Sequence, residues 1–322
     1  MNVEVDKLRA RLEGGLIPAV PLPFDGDGRL HRGAQESYLQ YMAEQPVAGV
    51  AVWAHTGRGL MLDDETAQVA LRGWRAALPE KALIAGVGSR SSETPAQATH
   101  HALEMAERAA AGGADALLVY APIWLRGHGH ADAMIVEHHE RLAEMGLPLI
   151  LFYLYEAAGG IHYSPAVLDE LLAMPGVLGI KMATLDSVMT YQDVSRLIAS
   201  RHPYKLLITG EDRFLGYSLR RGARSALIGM GAICCAMQAD LIRAHIKGEA
   251  ESFLTLSDHA DLLAEATFIA PMEGYIKRLL WALVHLRVIP LEAANDPWGP
   301  PIPATDFEAV GQILACLGFK GE

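Results

Sequence analysis

The 322-residue chain is 51% hydrophobic, enough to bury one large α/β barrel or two ordinary domains. Its formal charge of -11 and pI near 5.6 exclude the concentrated positive field that nucleic acid or an acidic membrane surface attracts. No charged-then-apolar leader follows Met1 and no apolar run is long enough to cross a bilayer. The expectation is therefore a soluble, cytoplasmic enzyme of a small molecule, with no nucleic-acid and no membrane partner.

Apolar strand candidates recur at Leu16–Val20, Gly49–Trp53, Ala82–Val87, Ala116–Tyr120, Leu149–Tyr153, Val177–Lys181, Leu206–Thr209 and Ala226–Met230. Segments of helical period separate them, among them Glu65–Ala77, Ala96–Ala111, Ala133–Met145, Pro165–Met174, Val188–Ala199 and Phe214–Arg221. Several open on Ser, Thr, Asp or Pro and close on Gly. Eight βα units at intervals of roughly 25 to 35 residues imply parallel strands, because each crossover needs a helix. A (β/α)8 TIM barrel over residues 1–235 is the first expectation, and a doubly wound sheet the second. Further helical patterns at Met237–Ile246, Glu249–Ala266, Met272–Val288 and Asp306–Leu317 make residues 236–322 a C-terminal helical extension. The Pro-rich stretch Pro297–Pro303 reads as a rigid connector before the last helix.

Two polar residues close apolar strands: Tyr153 the fifth and Lys181 the sixth. Strand alternation groups Val177, Gly179 and Lys181 on one side and Leu149, Leu151 and Tyr153 on another. The expectation is that both sets face the barrel axis, at the strand ends where such enzymes keep their sites. A lysine beside a phenol points to imine chemistry. Desolvation lowers the lysine pKa from about 10.4 and frees the amine for attack. The phenol then gives and takes the proton at the same carbon.

The run Leu16-Ile17-Pro18-Ala19-Val20-Pro21-Leu22-Pro23-Phe24, the segment Ala54-His55-Thr56-Gly57-Arg58, Tyr153 and Gly179-Ile180-Lys181 together resemble the dihydrodipicolinate synthase and N-acetylneuraminate lyase family, along nearly the whole chain. The resemblance implies a barrel with a C-terminal helical part, assembled as a homotetramer. It also implies a Schiff base between Lys181 and pyruvate or a related 2-oxo acid, with no metal or organic cofactor. Lys181 matches the family's imine lysine and Tyr153 its proton-relaying tyrosine.

Departures from the family pattern fall at the substrate-facing positions. The family's Gly-Thr-Thr-Gly-Glu segment stands here as Ala54-His55-Thr56-Gly57-Arg58, with His55 in place of the first threonine. The synthases' second tyrosine, which crosses from a neighbouring subunit, matches Trp124, and the arginine that grips the second substrate matches Ala158. Lysine biosynthesis is therefore set aside. His55 either replaces the hydroxyl relay as an acid-base group or donates a hydrogen bond. Thr56 and Gly57 offer a hydroxyl and backbone N–H groups to a carboxylate. Arg58 either adds an anion contact or faces a subunit boundary. Gly210 and Met230, after strands seven and eight, bring backbone close to substrate.

His128, His130, His138 and His139 complete no metal shell, because adjacent helical residues do not face one site. The cysteines Cys234, Cys235 and Cys316 are odd in number with two adjacent, and so build neither a disulfide framework nor a zinc site. The reading is a Schiff-base-forming lyase of the aldolase type, with an aldehyde as a candidate second partner. The alternatives are a 2-keto-3-deoxy sugar-acid dehydratase using the same imine, and a non-catalytic binder of small acids.

Overall fold

The computed structural model describes residues 3–90 and 94–319. The outer ends of the two expected domains, residues 1–2 and 320–322, lie outside the described residues. The elements run α1 (Val3–Leu12), β1 (Leu16–Pro18), α2 (Arg32–Ala43), β2 (Gly49–Val52), α3 (Asp64–Ala77), β3 (Ala82–Val87), α4 (Pro95–Ala111) and β4 (Ala116–Val119). They continue as α5 (Ala131–Ala143), β5 (Leu149–Leu154), α6 (Pro165–Ala173), β6 (Val177–Ala183), α7 (Val188–Arg201), β7 (Leu206–Thr209), α8 (Leu215–Arg220) and β8 (Ser225–Ile228). The last four are α9 (Cys235–Lys247), α10 (Ala250–Thr267), α11 (Tyr275–His285) and α12 (Thr305–Cys316).

Among the described residues eight parallel strands form one sheet in the order β1-β8-β7-β6-β5-β4-β3-β2. A parallel bridge between Ala19 and Ala51 joins its edges and closes the barrel. Helix starts follow the expected chemistry: Asp63, Thr94, Ser164 and Ser187 each cap an N–H three residues on, and Pro95 and Pro165 occupy first turns.

Strand alternation sorts the core into two layers. The interior set holds Ile17, Ala51, Ile84, Leu118, Ile150, Phe152, Leu178, Ile208 and Leu227 with Val5, Leu8 and Leu12 of α1. Helix α1 packs on β3 and β6 and so plugs one end of the barrel. The intervening strand residues pack outward against the helices. Helix α9 packs on β1 and completes the eighth unit, so the expected boundary at 235/236 falls at the start of a barrel helix.

Beyond α9 the chain does more than cap the barrel. Helix α10 packs on α8, α9 and α12, and the segment from Phe268 to Trp298 then crosses to the loops that follow β1 and β2. There Asn295 bridges Phe24, and Trp298 meets the Phe24 ring edge-on at 5.4 Å. Arg278, fully buried, holds the crossing in place. Its guanidinium donates to Asp306 of α12 at 2.9 Å and to the carbonyls of Ile269, Ala270 and Pro271 at 2.9, 3.2 and 3.3 Å.

Removing one partner of such a buried pair strands a charge and several carbonyls. Arg278→Ala is expected to cost about 3 to 5 kcal/mol in urea unfolding; a loss below about 1 kcal/mol, the range of exposed pairs, would contradict this reading.

Candidate active site

Lys181 projects from β6 into the barrel. Its partner across the ladder is Phe152, and its Nζ lies 4.2 Å from the centre of the Phe152 ring. The side chain is 5% exposed, and among the described residues its amine makes no hydrogen bond or ion pair. Burial in this apolar setting pushes its pKa down to about 8, against the opposing fields of Asp212 and Glu211. Gly210 on the adjacent turn is required by space: a Cβ there would stand 2.7 Å from Lys181 Cε.

Two acids follow Gly210. Glu211, fully buried, accepts the Thr184 amide and hydroxyl at 2.7 and 2.8 Å and the Leu185 amide at 2.8 Å. It thereby fixes the loop after β6, where Leu185 sits at φ 50. Burial raises its pKa to about 7, and those hydrogen bonds oppose the rise. Asp212, 4% exposed, accepts the Met230 amide through Oδ1 at 2.7 Å. Burial raises it to about 7 as well, with the Met230 amide and Lys181 pulling the other way.

The mouth is shaped by the loop after β2 and by the crossing segment. Trp53, at φ 55, turns the chain out of β2, and its carbonyl accepts the Tyr120 hydroxyl at 3.0 Å. His55 Nε2 meets both carboxylate oxygens of Glu273 at 3.0 Å. Arg58 donates to Glu273 at 2.8 Å and grips Asp296 through two bonds of 3.1 and 2.7 Å. The Tyr155 hydroxyl donates to Glu273 at 2.7 Å, and Thr56 pairs with the Tyr275 hydroxyl at 3.0 Å. Burial alone would raise the Glu273 pKa; the hydrogen bond and charge of His55, with Tyr155 and Arg58, instead hold it at about 2. A cleft of about 360 Å³ opens beside His55, walled by Leu60, Met61, Ser89, Arg90 and Tyr120. Lys181 does not reach its wall.

The sequence-derived set is brought together only in part. Gly210 abuts Lys181, the Met230 amide meets Asp212, and His55, Thr56, Gly57 and Arg58 gather at the barrel mouth. Arg58 directs its donors to Glu273 and Asp296 of its own chain.

Tyr153 is a correction. It shares the outer layer with Leu149 and Leu151, its ring packs on Tyr163, and its hydroxyl meets His162 Nδ1 at 2.8 Å. Alternation groups residues by face without saying which face is inward; Phe152, not Tyr153, is level with Lys181. Val177 also faces outward, because the pairing slips so that Leu149 meets Val177 and Ile150 meets Gly179, leaving Leu178 as an extra residue.

Trp124 does not line the cleft beside His55 in its own chain. It packs edge-on against His138 and lines a separate small cavity with Thr99 and Glu137. His139 is buried in the same helix, and His128 and His130 are exposed.

Asp212, Phe152, Tyr155, Glu273, Tyr275 and Asp296 were missed. Asp212 lies two residues past the flagged Gly210 and Tyr155 two past Tyr153. Glu273, Tyr275 and Asp296 come from the extension, where no spacing links them to the strands.

A model of the dihydrodipicolinate synthetase family matches residues 12–300. The 4-hydroxy-tetrahydrodipicolinate synthase of Stenotrophomonas maltophilia strain K279a is 28% identical over 290 residues, covering 87% of this chain and 92% of that protein. Among solved structures, YagE, a prophage protein of E. coli K12 in complex with pyruvate, superposes with a TM-score of 0.82 at 19% identity, over 95% of this chain and 98% of that one. The N-acetylneuraminate lyase of Mycoplasma synoviae gives 0.74 at 19% identity, over 95% and 97%. The chain thus belongs to the dihydrodipicolinate synthetase family and is a lyase of the class I aldolase type.

Proposed function

We propose that the protein forms a Schiff base between Lys181 and pyruvate or a related 2-oxo acid, and that it makes or breaks a bond next to the former carbonyl carbon. The observation that carries this is an amine buried on an aromatic ring and in no ion pair among the described residues, its pKa depressed to about 8. Such an amine attacks a carbonyl as the free base, and the protonated imine then serves as an electron sink. The family match and the pyruvate bound to YagE support the choice of donor.

The second substrate differs, in this reading, from that of the lysine-forming synthases. Ala158 stands where their arginine is expected, and it lines the cleft beside Gly159 with no cation on that loop. The cationic groups on the cleft are Arg58, already paired, and Arg90 from the β3 loop. A homotetramer in the cytoplasm remains the expected setting.

Borohydride added with pyruvate is expected to leave a reduced three-carbon adduct on Lys181, read by peptide mass, and Lys181→Ala to leave none. An adduct on another lysine would refute the assignment. The adduct rate is expected to climb as the pH approaches about 8, because the neutral amine gains population as its proton leaves; an ordinary lysine would still be climbing near about pH 10. Tyr153→Phe is expected to form the adduct within about threefold of wild type, since its hydroxyl faces the helices, whereas a lost proton relay would cost at least about 100-fold.

A further inference from the structure

Given the imine reading above, the reaction at Lys181 needs a proton carrier. Attack forms the Nζ–C bond and moves a proton from nitrogen to the carbonyl oxygen, giving a carbinolamine. The C–O bond then breaks, a second proton reaches that oxygen, and water leaves the protonated imine. A group that gives a proton to oxygen and takes one from nitrogen serves both steps.

The tyrosines near the mouth are engaged elsewhere. Tyr153 faces the helices on His162, Tyr120 donates to the Trp53 carbonyl, Tyr155 donates to Glu273, and Tyr275 pairs with Thr56. Glu211 carries three donors on its two oxygens. Asp212 differs. Its Oδ1 accepts the Met230 amide at 2.7 Å, the Gly229 amide and its own amide also lie against the carboxyl, and no side chain is hydrogen-bonded to it among the described residues. Asp212 and Lys181 form no ion pair within 4.0 Å. Both border one turn, since a Cβ on Gly210, two residues before Asp212, would stand 2.7 Å from Lys181 Cε, and each group alters the other's proton affinity.

We propose that the Asp212 carboxyl, in place of a tyrosine hydroxyl, is the catalytic acid and base of carbinolamine formation and dehydration at Lys181. The groups facing it are the Lys181 amine, the Glu211 carboxyl and the Gly229 and Met230 amides. The reactive form of the pair carries one proton, with the amine free and the acid protonated. It is lost at low pH, when both are protonated, and at high pH, when neither is.

The test is the rate of borohydride-trapped pyruvate adduct against pH, in wild type, Asp212→Asn and Asp212→Glu. Asn keeps an acceptor for the Met230 amide and removes the charge that opposes loss of the Lys181 proton. A purely electrostatic role therefore predicts an equal or faster reaction at neutral pH. A proton-carrying role predicts a loss of about 100-fold or more, disappearance of the fall at high pH, and partial recovery in Asp212→Glu. An Asp212→Asn rate within about threefold of wild type with an unchanged profile overturns the proposal while the imine stands. Should Asp212→Asn not fold, the wild-type profile decides: a rise and fall supports the proposal, and a rise to a plateau overturns it. A wild type that forms no adduct with pyruvate, 2-oxobutanoate or 2-oxoglutarate overturns the imine reading itself, and this one with it.

Discussion

The burial of one amine against an aromatic ring governs this site. Lys181 faces the Phe152 ring, and the turn beside it is glycine because even a methyl group would collide with its stem. An ammonium is poorly tolerated in such surroundings, so the balance shifts toward the free base. The same burial acts in the opposite sense on Glu211 and Asp212, drawing both acids toward their neutral forms. Three groups with ordinary pKa values far apart are thus brought within about a unit of one another near neutrality. Barrel geometry achieves this by closing every strand edge and plugging one end with α1, so solvent enters from the other end.

At that open end the groups suited to an anion are occupied by the chain's own carboxylates. Glu273 receives His55, Arg58 and Tyr155, and Asp296 receives the rest of Arg58. A substrate carboxylate arriving at His55 would exchange with one that is already well bound, whereas among the described residues no carboxylate is paired with Arg90 on the Ser89 side of the cleft. Among the described residues the mouth is therefore saturated with carboxylates on the β2 side alone. Its shape depends on residues far along the chain as much as on the strand ends.

That division also marks what sequence reasoning reaches. Eight strands, their parallel order and the lysine on the sixth follow from apolar runs spaced by helical segments, since period and spacing are local properties. The phenol was misplaced because alternation is silent about absolute orientation, and a single extra residue at Leu178 offsets the two strands. Lys181 is correctly inward and Tyr153 is not, although both close similar runs. Glu273, Tyr275 and Asp296 carry no local signature: each is an ordinary residue of a helical or looped stretch, and only the tertiary path of the extension brings them to His55, Thr56 and Arg58.

The Arg278 clamp sets an order of events during synthesis. The strands, Lys181 and both neighbouring acids lie within the chain up to Met230, and they can leave the ribosome and close as a barrel early. Arg278, three residues past Tyr275, ties the segment that carries Glu273 and Tyr275 to Asp306 in the final helix. The entrance of the barrel is thus anchored at the far end of the chain, in a helix that among the described residues hydrogen-bonds to neither Glu273 nor Tyr275.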